Sequence, residues 1–419
     1  IGNISCYTFI NTAKIIEEVK KLAVEIPVYV AGQNVTMATF MFEKLEVKPD
    51  YLLIGYTENS LVGLCSAIIK NTDTENINGI IKCSTATHNE YIHPNYGEIS
   101  EKIDEYAFLE YEVYPHWRTH LPLVEESRGC PYSCNFCGNS KVTSKCRFHR
   151  KSGEIIVEEL KRVIKMWKST EKLPVILMCS NFGTNSDDTI DFLDCVNPLQ
   201  EDISFMAALR VDTSWEKYAN LMKPVFEQVH FGLESASPEI LLRMNKTSNP
   251  QIYLEKATKA FKTFSDMGIH VGCNFIFGYP GESGKTIGET VKFLLDNKEH
   301  IDSLWGGALI EYPGCPLTEK METYREMFGT SRVRLSKFSD ILSAYPIRPS
   351  DTLSFEQVVN MSTLVMKMFN NPDTFYQHYK WYPGLLGEGY TLLKLKEFYE
   401  LFFEGIEDLS SVGMDISTL

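Results

Sequence analysis

The sequence lacks the features that mark several classes of protein. Its longest apolar runs, such as residues 271–277, are far shorter than the ~20 residues that a membrane-spanning helix needs. No charged-then-apolar segment of the kind that directs secretion opens the chain. The sequence therefore predicts a cytoplasmic protein that is not embedded in a membrane.

Positive charge is also scarce, since 41 lysine and arginine residues stand against 55 aspartate and glutamate residues. The resulting net charge of −14 disfavours a protein that holds nucleic acid mainly by neutralising phosphates. We find no internal repeat and no low-complexity tract, and 44% of the residues are hydrophobic. The composition is that of a folded chain, and its 419 residues suit two or three domains.

Residues 1–85 alternate short apolar runs with amphipathic stretches, which predicts a parallel sheet with crossover helices. Strands are expected at residues 1–5, 27–31 and 51–55, and helices at residues 13–23, 35–45 and 61–69. Ligands of such sheets lie beyond the carboxyl ends of the strands. Because the chain opens on a strand-like run, an upstream segment is expected to be missing.

A second α/β region is predicted after residues 86–120, which we interpret as a linker between domains because they show little periodicity. Strand candidates are residues 121–124, 175–179, 204–209, 228–233, 270–277 and 304–310. Helix candidates are residues 154–167, 187–195, 214–222, 249–267 and 285–296. Six units within residues 121–325 are too few for an eight-fold barrel but fit a partial barrel, whose active site would lie at the strand carboxyl ends.

Residues 326–419 lack this alternation and predict a helical, aromatic C-terminal domain that covers the mouth of the barrel. Its candidate substrate contacts are Tyr376, Tyr379, Trp381 and Tyr382. The alternative for these four side chains is ordinary packing of an aromatic helix face.

Three of the eleven cysteines lie within eight residues, directly after the first barrel strand. Cys130, Cys134 and Cys137 have a C-x3-C-x2-C spacing, which lets one short loop aim three sulfur atoms at one point. Three thiolates leave one iron of a four-iron cluster open to an outside ligand, whereas a structural zinc site normally has four protein ligands. A zinc knuckle completed by Cys146 or His149 remains the alternative.

The loop from Glu126 to Cys137 resembles the signature of the radical S-adenosylmethionine (SAM) superfamily. Residues 208–212, 231–245 and 272–282 extend the resemblance and are similar to the cobalamin-binding branch of that superfamily. The resemblance implies a [4Fe-4S] cluster whose open iron binds the amino and carboxylate groups of SAM. An external electron donor such as flavodoxin or ferredoxin would reduce the cluster, and cleavage of SAM would yield a 5′-deoxyadenosyl radical that takes a hydrogen atom from the substrate.

The resemblance also implies which residues contact SAM, namely Phe136, Ser180, Asn181, Arg210, Glu234, Ile276 and Gly278. Phe136, Ile276 and Gly278 would lie by the adenine, and Arg210 and Glu234 would contact the carboxylate and the ribose. Ser180 and Asn181 would meet the methionine amino group, although the familiar Gly-Gly-Glu is absent there. The alternatives are a buried ion pair between Arg210 and Glu234 that only orients two strands, and a core position for Ile276.

Residues 1–85 resemble the latter part of a doubly wound, Rossmann-like cobalamin-binding domain. The implied cobalamin contacts are Gln33, Asn34, Val35, Thr36, Tyr56 and Glu58. The sequence departs from the glycine-rich runs that relatives often have at both places, and it has no Asp-x-His-x-x-Gly motif to supply a lower axial histidine. A remnant domain that binds nothing and supports the barrel is the alternative.

The expected fold is therefore α/β, with a partial (β/α)6 radical SAM barrel between an incomplete Rossmann-like domain and a helical tail. The implied activity is cobalamin-dependent methylation of an unactivated carbon in a peptide or a small-molecule natural product. One alternative is a radical SAM rearrangement, cyclisation or oxidation without methyl transfer. Another is a non-catalytic iron–sulfur or metal-binding module.

Overall fold

A computed structural model describes residues 9–97, 103–115, 117–139, 148–167, 171–333, 344–371 and 373. The strand expected at residues 1–5, Cys146 and the four candidate substrate residues of the tail lie outside the described residues. Within the described ranges, no helix has both the length and the apolar character needed to cross a bilayer.

The N-terminal unit is a small sheet with helices packed on it. Its strands are β1 (Tyr29–Ala31), β2 (Tyr51–Leu53) and β3 (Ile80–Lys82). Its helices are α1 (Phe9–Leu22), α2 (Gln33–Met37), α3 (Thr39–Glu43), α4 (Glu58–Lys70) and α5 (His88–Ile92). The single helix expected at residues 35–45 is two short helices, because Ala38 between them has a non-helical φ of −134°.

The strand β3, which the sequence did not predict, departs from the expected parallel arrangement. β1 and β2 are parallel, but β3 pairs with β2 in the antiparallel direction. The loop after α4 returns to the first turn of that helix, where the Ser60 hydroxyl donates to the carbonyl oxygen of Asn78 over 2.7 Å. The following strand therefore starts at the carboxyl end of β2 and runs in the opposite direction.

Residues 86–97, which the sequence placed at the start of a linker, lie against this sheet. Tyr91 of α5 is only 1% exposed and is part of the same hydrophobic core as Phe42 and Leu52. The amide of Gly97 donates to the carbonyl oxygen of Ile54 over 2.9 Å, just beyond the end of β2. The packing of the N-terminal unit thus continues past residue 85.

The central sheet has six parallel strands, which confirms the partial barrel predicted from the strand–helix alternation. Its strands are β4 (Leu123–Glu125), β7 (Leu173–Met178), β8 (Ile203–Arg210), β9 (Phe226–Glu234), β10 (His270–Phe277) and β11 (Ser303–Ala308). They lie in the order β11–β10–β9–β8–β7–β4. Between β4 and β7, β5 (Ser127–Arg128) and β6 (His149–Arg150) form a two-stranded antiparallel ladder.

Helices follow the strands of this sheet in turn. They are α6 (Gly153–Trp167), α7 (Ser186–Val196), α8 (Ala219–Met222), α9 (Pro238–Arg243), α10 (Pro250–Asp266) and α11 (Gly284–Asp296). The helix expected at residues 214–222 is instead a 3₁₀ turn, Trp215–Lys217, followed by the short α8. The buried Trp215 indole donates to the carbonyl oxygen of Val211 over 3.0 Å, which ties the turn back to the strand end.

Alternating side chains give each strand an outer and an inner face. Phe231 on β9 points outward and packs edge-on against Phe261 and Phe264 of α10, with ring centroids 5.7 and 5.4 Å away. Gly232 and Glu234, which alternate with the outward-facing residues of β9, lie on the inner face and line a cavity there. The outer face therefore stabilises the sheet by packing against helices, and the inner face borders the cavity.

The described part of the C-terminal region packs on the same sheet. It comprises β12 (Ile310–Glu311), α12 (Pro316–Phe328), β13 (Ser331–Arg332), β14 (Tyr345–Arg348) and α13 (Phe355–Phe369). Val358, Met361 and Val365 of α13 are part of the main hydrophobic core. After α13, the Asn370 side chain binds both the amide and the carbonyl of Leu304 over 3.0 and 2.7 Å, which fixes the helix against β11.

Candidate active site

The cysteine loop lies at the carboxyl end of the central sheet, where Cys130, Cys134 and Cys137 line one cavity of about 230 Å³. The end of α9 and the residues directly after it hold this loop in place. The side-chain Nδ2 of Asn135 donates to the carbonyl oxygen of Arg243 over 2.9 Å. The Asn245 side chain donates to the carbonyl oxygen of Ser133 over 2.8 Å. These contacts fix the position of the loop that carries the three thiols.

The donor set fits an iron–sulfur cluster better than a single ion. Within the described ranges, no three His, Cys, Asp or Glu side chains converge closely enough to hold one metal ion. A four-iron cluster is larger than an ion and takes thiolates spread around it. His149, one candidate for a zinc ligand, lies on β6 with its ring 6.1 Å from that of Tyr56 and does not line the cavity.

Two cations stand beside the thiols. Burial raises the pKa of the Cys130 thiol, while the backbone amide of Tyr132 and the charges of Arg210 and Lys246 act in the opposite direction. Since the thiolate is the form that binds metal, the cations favour cluster binding.

Arg210, at the end of β8, faces the cysteines. Its Nη1 donates to the Cys134 sulfur over 3.3 Å, and its guanidinium carbon lies 3.9 Å from the centre of the Tyr132 ring. Asp212 accepts two hydrogen bonds of 2.8 Å from Nε and Nη2, and the carbonyl oxygen of Lys246 accepts another from Nη2. The side chain is only 7% exposed.

Glu234, at the end of β9, pairs with Lys246, a residue that the sequence did not single out. The Lys246 ammonium lies 3.0 Å from Glu234 Oε1, and the two side chains are only 4% and 13% exposed. Glu234 has a φ of +66°, a conformation that a non-glycine residue rarely adopts and that is concentrated at functional sites. Arg210 and Glu234 thus have separate partners rather than forming the mutual ion pair considered as an alternative.

Three other expected SAM contacts also line this cavity, namely Phe136, Ser180 and Asn181. Asn181 is 4% exposed, and its side-chain oxygen accepts from the backbone amide of Arg210 over 2.8 Å. The Phe136 ring lies 5.9 Å from the Lys246 ammonium. The cavity therefore gathers residues from the ends of several strands, and Asn274 of β10 also lines it.

The family model of the radical SAM superfamily matches residues 124–294, which include the cysteine loop and the strand ends around the cavity. These residues form a radical SAM domain. The [4Fe-4S] cluster and SAM are the cofactors of this superfamily.

A curated relative from Pyrococcus horikoshii, named an uncharacterized methyltransferase, is 30% identical over 316 residues. The alignment covers 75% of this chain and 65% of that protein. The tRNA-2-methylthio-N(6)-dimethylallyladenosine synthase of Clostridium novyi is 30% identical over 174 residues, which are 40% of this chain and 37% of the relative. The chain thus spans less than two thirds of the length of either relative.

Two solved structures share the fold well beyond the radical SAM domain. The methyltransferase TsrM of Kitasatospora setae, with cobalamin and a [4Fe-4S] cluster bound, matches with a TM-score of 0.69 and 14% identity. The match covers 96% of this chain and 87% of TsrM. The cobalamin-dependent enzyme OxsB matches with a TM-score of 0.65 and 17% identity, over 98% of this chain and 65% of OxsB.

The N-terminal unit is docked directly on the cysteine loop of the radical SAM domain. The Gln33 side chain at the start of α2 donates to Asn139 over 3.4 Å, and Asn139 donates to the hydroxyl of Ser180 over 3.0 Å. Met37, at the end of α2, approaches Gly314 so closely that a Cβ there would lie 2.0 Å from the Met37 carbonyl oxygen. The end of β1 is thereby held beside the radical SAM cavity.

The residues expected to contact cobalamin fall into different environments. Gln33 is exposed, whereas Asn34, Val35 and Thr36 are 5%, 0% and 4% exposed. The Thr36 hydroxyl accepts from the amide of Gly55 over 3.0 Å and donates to the carbonyl oxygen of Gly32 over 3.1 Å. It joins the carboxyl ends of β1 and β2.

Tyr56 and Glu58 both contact Arg128, two residues before the first cysteine. Glu58 forms an ion pair with Arg128, and the Arg128 guanidinium carbon lies 5.8 Å from the centre of the Tyr56 ring. The same guanidinium binds Glu125 over 2.6 and 2.9 Å. These contacts connect the N-terminal unit to the strand that leads into the cysteine loop.

Two expected adenine contacts do not line the cavity. Ile276 packs in a hydrophobic cluster with Met37 and Tyr279. Gly278 has a φ of +84°, and its amide donates to the carboxylate of Glu282. A Cβ at this glycine would lie 3.0 Å from Val358, so the position serves a tight turn between β10 and α11.

Proposed function

We propose that this chain is a radical SAM enzyme that transfers a methyl group, with the help of cobalamin, to an unactivated carbon of a small molecule or peptide. The observation that carries the proposal is the gathering of three thiols, two cations and a carboxylate around one cavity at the strand carboxyl ends. The family match and the methyltransferase name of the Pyrococcus relative support it.

The three cysteines would hold a [4Fe-4S] cluster and leave one iron open to SAM. When bound, these two groups supply the radical chemistry, while the protein supplies binding and orientation. Lys246 would pair with the carboxylate of SAM, since it lines the cavity and an ammonium group has three N–H donors. Glu234 would accept hydrogen bonds from the ribose or the amino group.

Cobalamin is proposed on the N-terminal unit. The fold likeness to the cobalamin-bound structures of TsrM and OxsB includes that unit, since the matches cover 96% and 98% of this chain. In open α/β sheets, ligands lie beyond the strand carboxyl ends. Here the ends of β1 and β2 face the cysteine loop through the contacts of Gln33 and Glu58.

The compartment, the electron donor and the substrate class are proposed from the same chemistry. The use of three cysteines as thiolate ligands suits a reducing compartment, and we place the protein in the cytoplasm. An external electron donor such as flavodoxin or ferredoxin would reduce the cluster. TsrM has been solved with tryptophan bound as its substrate, and a small molecule or a peptide is proposed for this chain.

A second candidate is a radical SAM reaction without methyl transfer. It is favoured by the burial of Asn34, Val35 and Thr36, which the sequence had assigned to cobalamin. In that case the N-terminal unit would support the cysteine loop and bind no cofactor.

Anaerobic incubation of the reconstituted protein with SAM and reductant, with and without hydroxocobalamin, separates the two candidates. The proposal predicts S-adenosylhomocysteine only when hydroxocobalamin is present, because the reductant converts it to the Co(I) form that accepts the methyl group of SAM. 5′-Deoxyadenosine in both conditions with no S-adenosylhomocysteine supports the second candidate, and no turnover of SAM contradicts both. Cys134→Ala should abolish turnover, whereas Cys65→Ala, at an exposed cysteine on α4, should not.

A further inference from the structure

We propose that Arg210 is a positioning residue of the iron–sulfur cluster, whose hydrogen bond to the Cys134 sulfur raises the reduction potential of the cluster. This inference rests on the proposed function, because it requires a cluster on the three cysteines. It assigns Arg210 to the metal side of the cavity rather than to the carboxylate of SAM.

The hydrogen bonds of Arg210 leave little room for a second role. A guanidinium has five N–H donors and no acceptor. Nε binds one oxygen of Asp212, Nη2 binds the other oxygen and the carbonyl of Lys246, and Nη1 binds the Cys134 sulfur, so four donors are used. A carboxylate bound in the usual bidentate way needs two parallel free donors. Arg210 has only one left, on Nη1.

The guanidinium is also held rigidly. It lies on the Tyr132 ring at 3.9 Å, within the cysteine loop itself, and Asp212 fixes its opposite edge. The guanidinium keeps its positive charge, since an arginine side chain does not lose its proton in proteins. The side chain is therefore a fixed cation beside one thiolate ligand.

A fixed cation at a ligand sulfur changes the energy of reduction. Reduction adds one negative charge to the cluster, and hydrogen bonds to the sulfurs and the local net charge set the potential. The interaction is strong because Arg210 is 7% exposed and little water screens it. The Nη1 contact should stabilise the reduced state more than the oxidised state. Electron transfer from the external donor then becomes easier.

Redox titration of the cluster, followed by electron paramagnetic resonance (EPR) in the absence of SAM, tests this role. Arg210→Gln should shift the midpoint potential to more negative values. Arg210→Lys keeps the charge but loses the planar fork, so its shift should be smaller. Asp212→Asn keeps the hydrogen-bond donor of Arg210 to Cys134 and removes a negative charge near the cluster. It should therefore shift the midpoint potential in the positive direction.

Opposite signs for Arg210→Gln and Asp212→Asn distinguish an electrostatic role from a structural one, because simple misfolding would not reverse the sign. An Arg210→Gln protein with full iron and sulfide, an unchanged potential and weakened SAM binding would overturn the inference. It would return Arg210 to the SAM carboxylate while leaving the proposed function intact.

A measurement on the wild-type protein covers the case in which the variants fail to assemble a cluster. With arginine labelled by ¹⁵N in the guanidinium, pulsed EPR of the reduced cluster should show a ¹⁵N coupling, and Arg210→Lys, where it assembles, should lack it. No coupling in the wild-type protein overturns the inference alone. A wild-type protein that binds no iron overturns the proposed function and this inference together.

Discussion

The ammonium of Lys246 lies 3.0 Å from the carboxylate of Glu234, with both side chains almost fully buried beside the three thiols. Each group compensates the charge of the other, and both line the cavity. If SAM binds there, its methionine end brings a carboxylate and an amino group that exchange partners with this pair. The pair is then both a structural element and a binding element.

Replacing Lys246 separates these two roles. Lys246→Met leaves the Glu234 carboxylate without its partner, so the free energy of unfolding should fall by about 3 kcal/mol. The double variant Lys246→Met/Glu234→Gln should recover most of that stability but not SAM affinity, which should remain at least about tenfold weaker. Chemical unfolding and equilibrium binding of SAM to the reconstituted protein check both effects. Unchanged SAM affinity in either variant would contradict the role given to Lys246.

The docking of the N-terminal unit gives a second prediction. Gly314 has a φ of +81°, and a Cβ there would lie 2.0 Å from the carbonyl oxygen of Met37. Gly314→Ala should therefore lower the free energy of unfolding by about 2–4 kcal/mol. Gly284→Ala is the matched control, since a Cβ at Gly284 in the first turn of α11 meets nothing within 4 Å. Equal effects of the two substitutions on chemical unfolding would show that this contact is not formed.

The burial of the Glu282 carboxyl group predicts that the stability of the protein depends on pH. Burial is the largest effect on this carboxyl group and raises its pKa to about 8. The hydrogen bonds from the backbone amides of Gly278 and Tyr279 act to lower the pKa but do not offset burial. The native state therefore keeps a proton that the unfolded state loses between about pH 4.5 and 8, so this residue makes stability fall as pH rises. Glu282→Gln should remove that slope, on the order of 1 kcal/mol per pH unit.

Urea unfolding at pH 5, 6, 7 and 8 measures the Glu282 effect. The stability of Glu282→Gln relative to wild type should increase steadily with pH, and the exposed Glu326→Gln serves as the control. A relative stability that stays flat or decreases with pH would show that Glu282 is ionised in the folded protein.

Substitutions of Thr36 and Gln33 test which of these residues supports the fold of the N-terminal unit and which contacts cobalamin. Thr36→Val removes the two hydrogen bonds that join the ends of β1 and β2, so it should destabilise the protein by about 1–3 kcal/mol with or without cobalamin. Gln33→Ala, at an exposed position, should leave stability nearly unchanged and weaken cobalamin binding, followed by visible absorption. If Gln33→Ala binds cobalamin as wild type does, this residue is not a cobalamin contact.

The parts of the fold that follow from local pattern were predictable. Strand–helix alternation gave the six parallel strands, because buried strands and amphipathic helices leave different periodicities. The reversed β3 was not predicted, and the hydrogen bond between Ser60 and Asn78 that accompanies it joins residues 18 positions apart. The broken helix at residues 214–222 likewise depends on the burial of Trp215.

The site shows the same division. The spacing of Cys130, Cys134 and Cys137 identified the loop, because a short motif carries its own geometry. Lys246 was missed, although it directly follows the stretch at 231–245 that resembles the superfamily. Its pairing with Glu234 depends on how the segment after β9 folds back over the cavity. No local sequence pattern predicts the path of that segment.

The most direct test of the central claim is the metal content of the anaerobically reconstituted protein, followed by EPR of its reduced form with and without SAM. The account predicts four iron and four sulfide per chain, and a change of the EPR signal when SAM binds the open iron. Cys134→Ala should lose the signal. Stoichiometric zinc without iron, or a cluster whose signal does not respond to SAM, would contradict the account.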